Sequence, residues 1–130
     1  MSERSIFDVK SGARENSFFR KVLFTAPLSQ LVVMSLLPHE EIGAETHDGD
    51  QMLYAVKGGG VAVINGAKEP FEKGMIFCIP AGALHNVINT GEEPLKLFTI
   101  YAPPQHAPGT IHKTKVEAEA AEGVAHSVTA

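Results

Sequence analysis

The chain has no tryptophan, one cysteine and no excess of basic residues, and each shortage excludes something. A lone thiol, Cys78, cannot make a disulfide within one chain, which fits a reducing compartment and predicts a cytoplasmic protein. The 11 Lys and Arg against 15 Asp and Glu give a formal net charge of −4, so a phosphate backbone meets no strong attractive field and nucleic acid is not an expected partner. Long apolar runs are also missing. Nothing is long enough to span a bilayer, and the opening residues, with Glu3, Asp8 and Lys10, lack the apolar stretch of a secretion signal, so no membrane association is expected.

What is present suits one domain: 130 residues of which 44% are hydrophobic, enough for one sizeable core. Short apolar, β-branched and aromatic runs alternate with Gly, Pro, Asn and Asp clusters, which predicts strands over Phe18 to Thr25, Gln30 to Leu37, Gln51 to Lys57, Val61 to Ile64, Met75 to Ile79, Asn86 to Asn89 and Leu95 to Ala102. Asn65-Gly66 supplies the positive φ of a tight hairpin. With no amphipathic helix between these runs, the expected class is all-β: an antiparallel sandwich, jelly roll or closed barrel. The run Leu31 to Leu37 is apolar on both alternating faces and needs cover on two sides, so a homodimer is the default expectation. Cys78, inside the apolar run Met75 to Ile79, reads as packed. Pro103-Pro104 ends the last strand, the Ala/Glu/Lys-rich segment from Lys113 to Glu122 favours a short helix intrinsically but gains little without packing, and disorder is expected after Gly123. The expected division is an N-terminal arm over 1–17, a β domain over 18–102 and an extension over 103–130.

Two spaced patterns carry the chemistry. In the first, Gly43, Glu45, His47, Gln51 and Gly58, the two-residue step from Glu45 to His47 puts both side chains on one face of an extended segment, and the Asp48-Gly49-Asp50 turn can return Gln51 beside them. In the second, Gly74, Pro80, Gly82, His85 and Asn89, the glycines and the proline shape turns and leave His85 at the start of a strand. Three donors converge locally, and His85 must come from another strand. Asn89 reads as a side chain that bonds backbone. His106 and His112 read as solvent-facing loop residues, and His39 and His126 as surface residues.

These two patterns resemble the two motifs of the cupin superfamily. The Gly74 to Asn89 stretch matches the second motif at each defining position; the Gly43 to Gly58 stretch keeps the spacing of the first but has Glu45 where a histidine is commonest and Gln51 where a glutamate is. From Phe19 to about Ala118 the chain is similar to small bacterial cupins of the mannose-6-phosphate-isomerase-like group, on the strength of Gln30 to Leu36, Glu41 to His47, Pro103 to His106 and Gly109 to Lys115. The resemblance implies a double-stranded β-helix, a jelly-roll barrel with a short helical or disordered C-terminal tail. It also implies one divalent metal on Glu45, His47, Gln51 and His85. One carboxylate beside neutral imidazoles and an amide favours zinc, iron or manganese, with nickel less favoured. The function expected is a metal-dependent enzyme on a small polar molecule such as a sugar or keto acid, isomerase-like, with oxygenase or lyase chemistry open and no catalytic residue beyond the ligands nominated. The alternative is a non-catalytic module that binds a sugar or another small molecule.

Overall fold

The computed structural model describes residues 4–129, with side chains as far as Glu122. Among the described residues nine strands and two helices follow in the order α1 (Val9–Glu15), β1 (Arg20–Thr25), β2 (Gln30–Leu36), β3 (Asp50–Lys57), β4 (Gly59–Ile64), β5 (Ala67–Glu72), β6 (Ile76–Ile79), β7 (His85–Ile88), β8 (Leu95–Ala102), β9 (Ile111–His112) and α2 (Lys115–Thr129). Strand β8 shows why the sheet has one inner face. Leu95, Leu97, Thr99 and Tyr101 are buried while Lys96, Phe98, Ile100 and Ala102 take the other side, the period of two that a pleated strand imposes. Asn65 and Gly66 both have positive φ (47° and 86°), and the hairpin they form pairs Ile64 with Ala67.

The strands form two antiparallel sheets, one in the order β6-β3-β8-β2-β1-β9 and the other β5-β4-β7. The main core includes Val32, Met34, Leu36, Leu53, Leu95 and Leu97 from the larger sheet and Ala62, Phe71 and Val87 from the smaller. A second cluster lies on the outer face of the larger sheet, where Ala13 of α1 covers Val33 and Val56 with Leu23, Tyr54 and Phe98 at its margin. The two-sided apolar character of β2 is thus met in part by the chain's own first helix. That helix starts at Asp8, whose carboxylate accepts from Ser11 N at 3.2 Å.

The closed jelly-roll barrel expected from the resemblance is not what forms. Among the described residues no strand of the six-stranded sheet is hydrogen-bonded to one of the three-stranded sheet. The segment between β2 and β3 runs along β7, but among the described residues its ladder pairing with that strand is limited to the isolated bridges Glu41–Ile88 and Glu45–His85. Between these bridges Gly43 takes φ 108° and its N–H turns to the Asn86 side chain, so the ladder breaks and the sheets stay open. Other expectations also change. The N-terminal arm contains α1, and α2 runs on to Thr129 where disorder was expected after Gly123. Cys78 is exposed, because the alternation along β6 buries Ile79 and turns Cys78 outward. Strand β5 escaped prediction because only Phe71 of its residues is buried; its Pro70 is tolerated on an edge strand, where no ladder donor is needed. His39 is exposed as expected. The side chain of His126 lies outside the described residues.

Candidate metal centre

His85 opens β7 directly after the turn at Pro80 to Ala83, where Gly82 adopts φ 84°. The side chain is 3% exposed, and its Nδ1 lies 3.0 Å from the carbonyl oxygen of Ala83. A carbonyl only accepts, so Nδ1 carries the proton and Nε2 presents a lone pair. Glu45 is held opposite by paired backbone bonds, Glu45 N to His85 O and His85 N to Glu45 O, both 3.0 Å. His47, two residues on, reaches the same place, though its segment is irregular and not a strand.

Glu45 Oε1 lies 3.2 Å from His47 Nε2 and 3.8 Å from His85 Nε2. The donor atoms of the three residues lie within 4.8 Å of one another. Ligands of one ion with bonds of about 2.0–2.2 Å sit roughly 3–3.5 Å apart, so these spacings are of the right size. Yet neither Nε2 has a hydrogen-bond partner among the described residues, although both are buried. A buried polar atom without a partner is costly, and two imidazole nitrogens facing one carboxylate call for a shared cation. The donor set therefore fits a divalent metal.

Gln51 lies on β3, beside Tyr101 of β8 in the ladder, and is 2% exposed. Its Nε2 donates to Thr99 Oγ1 at 3.1 Å, while its Oε1 is buried without a partner among the described residues. The amide thus carries the same kind of free donor atom as the two imidazoles. Asn89 does what its reading required: fully buried, it donates to the carbonyls of Leu36 and Glu93 and accepts from Gly91 N.

The triad opens on a cavity of about 750 Å³. Glu45 and His47 line one side; His106, His112 and Glu122 line another. Neither histidine is therefore silent, and His112 stands on β9, half-buried, where a solvent-facing loop was expected. Gln30, fully used, pins the loop: its Nε2 donates to His106 O at 2.7 Å and its Oε1 accepts from His106 N at 3.0 Å. The Tyr101 ring lies between the two groups, its centroid 5.7 Å from that of His47 and 5.3 Å from that of His106. Burial pushes the Tyr101 hydroxyl up to about 12, against the opposing pull of Arg20. Burial, then Arg20, lowers His106 to about 3, and the same two causes lower His112. Around neutral pH, Tyr101 thus keeps its proton and His106 stays uncharged. Arg20 is 2% exposed and was missed. The available signal was a charged residue on the inward face of β1, two before buried Val22.

Comparison with known proteins agrees with this picture. Residues 32–101 match the Cupin domain family. An uncharacterized protein of Bacillus subtilis (strain 168), YrkC, is 40% identical over 124 residues, covering 90% of this chain and 67% of its own length. The crystal structure of BH2720 from Bacillus halodurans matches with a TM-score of 0.88 at 38% identity, over 91% of this chain and 95% of that one. A family match over more than half of the residues, on a chain whose two motif histidines and motif glutamate meet at one point, means that this protein belongs to the Cupin domain family.

Proposed function

We propose that the protein holds one divalent metal ion through Glu45, His47 and His85, with Gln51 completing the set, and acts on a small polar molecule in the adjoining cavity. The supporting observation is the convergence of buried donors without partners: Nε2 of His47, Nε2 of His85 and Oε1 of Gln51, with the Glu45 carboxylate against both imidazoles. Zinc, iron or manganese suits two imidazoles with oxygen donors. When bound, the ion supplies a Lewis acid that polarises a substrate oxygen.

The chain's own residues set the rest. Tyr101, with its hydroxyl held protonated, is suited to donate a hydrogen bond, and uncharged His106 to orient a polar substrate. Neither titrates near neutrality, so neither is matched to general acid or base work there. Within the cupins we place the chain in the mannose-6-phosphate-isomerase-like group, on the stretches Gln30 to Leu36, Glu41 to His47, Pro103 to His106 and Gly109 to Lys115, and we propose an isomerase-like reaction on a sugar or keto acid. We also propose a cytoplasmic homodimer. The location rests on the lone thiol. The second copy would cover the outward stripe of Leu31, Ile100, Met52 and Cys78, which are neighbours in register across β2, β8, β3 and β6; Met52 and Ile100 are 46% and 40% exposed.

Elemental analysis of untagged protein tests the metal. We expect near-stoichiometric zinc, iron or manganese, lost in His85→Ala while the far-ultraviolet circular dichroism is kept. Wild-type protein that neither carries nor takes up a divalent metal would sink the proposal, as would undiminished metal in the variant.

A further inference from the structure

One charged group is not used by the metal reading. Arg20, the first residue of β1, is buried to 2% exposure, and its Nε has no hydrogen-bond partner among the described residues. One NH1 contact is to His112 Nδ1 at 3.0 Å, and the other is to Glu122 Oε1 of α2, a looser 3.5 Å. Since an arginine only donates, His112 Nδ1 accepts, and the ring is uncharged on that side. A guanidinium is always charged and has five donors in a planar fork that matches a carboxylate in two-point contact. Among the described residues the fork has one distant carboxylate, and that carboxylate is more than a third exposed on the wall of the cavity.

We propose that Arg20 is the anchor for a small carboxylate ligand, and that Glu122 occupies this place in the ligand's absence, to be displaced when the ligand binds. The exchange is possible because Glu122 and His112 both line the cavity and Arg20 stands directly behind them. Release of Glu122 bares a buried cation that needs an anion. Charge selects the ligand class. Glu122 carries one negative charge against Arg20, so a monocarboxylate that takes its place leaves the charge there unchanged, whereas a phosphate dianion adds a second negative charge that the guanidinium does not balance. The anchor deepens the proposed function, in that a carboxylate held here belongs to a molecule whose other end faces the triad. Tyr101 links the two places: its ring lies against His47 of the triad and its hydroxyl is hydrogen-bonded to Arg20. A small organic acid with a second oxygen function, such as a keto acid, meets both demands better than a neutral sugar.

Acetate is the probe, used on protein freed of metal by chelation so that the outcome does not depend on the triad. We expect saturable movement of the Arg20 Nε–H resonance in nitrogen-edited NMR. We also expect Glu122→Gln to tighten acetate about fivefold, the fold-change of a partly exposed ion pair removed as competitor. Arg20→Lys should weaken it at least about tenfold, the loss of a two-point charged contact. Because Glu122 is partly exposed, its variant folds even if the Arg20 variant does not, and it keeps the test decisive. An Arg20 resonance unmoved by acetate, or acetate affinity unchanged by Glu122→Gln, overturns the proposal. Inorganic phosphate that binds as tightly as acetate overturns the choice of carboxylate.

Discussion

Acid should destabilise this protein in a window set by His106, and the size of the effect follows from where that ring sits. The ring is edge-on to Tyr101 in a half-buried position, its Nε2 has no partner among the described residues, and burial with Arg20 nearby lowers its pKa from 6.5 to about 3. Between those two values the unfolded chain binds a proton that the folded chain refuses. Stability is therefore full above the unfolded value and falls as pH drops from 6.5 towards about 3. One group contributes at most about 1.4 kcal/mol per pH unit. Some solvent contact remains at the ring, so about 1 kcal/mol per unit is the figure to expect between roughly pH 6 and pH 4. Over those two units about 2 kcal/mol is lost, a large share of a domain stability of about 5–15 kcal/mol. The assay is urea unfolding at half-unit steps of pH, comparing wild type with His106→Phe. The variant keeps an aromatic ring on Tyr101 and leaves the backbone of residue 106 on Gln30. Carboxylates titrate in both proteins, and so does His112, so the difference between the two curves isolates the His106 ring. Parallel curves would refute the reasoning, and so would a wild type that gains stability relative to the variant in acid.

Three further outcomes are expected. Gly60→Ala should cost more than about 3 kcal/mol by thermal or urea unfolding, because a Cβ there would lie 2.0 Å from the carbonyl oxygen of Ile88, and backbone cannot yield cheaply. Leu97→Ala, in the fully buried core, should cost about 2–5 kcal/mol, whereas Ile76→Ala, at a position 57% exposed, should stay within about 0.5 kcal/mol in dilute protein. Cys78 should react with a thiol reagent in dilute native protein as fast as a free thiol, and more slowly at concentrations where sizing shows a dimer; a rate independent of concentration counts against a second copy on that face.

The local patterns were legible because they depend only on neighbours along the chain. The period of two along β8, the positive φ at Asn65-Gly66, the shared face of Glu45 and His47 and the turn that delivers His85 can each be read from a few consecutive residues. Elements whose cause is not local went unread. Strand β5 exists because β4 offers it an edge, and α1 because Val33 and Val56 need cover; their own residues argue weakly for either. The closure of the sheets was misjudged for a similar reason. Whether a ladder continues past Gly43 depends on what its N–H finds across the gap, and there it finds Asn86, 43 residues away.

The site divides in the same way. Spacing alone brought out Glu45, His47, Gln51 and His85, because each donor is placed by its own turn or strand. Arg20, Tyr101, His106, His112 and Glu122 come from five separate stretches, and no spacing rule links them. The sequence by itself determined the candidate donors, of which the structure brings Glu45, His47 and His85 within 4.8 Å of one another. Only the tertiary structure decided what surrounds them, because a cavity is made by segments distant in sequence, and a pKa or an unpartnered nitrogen exists only once those segments have packed.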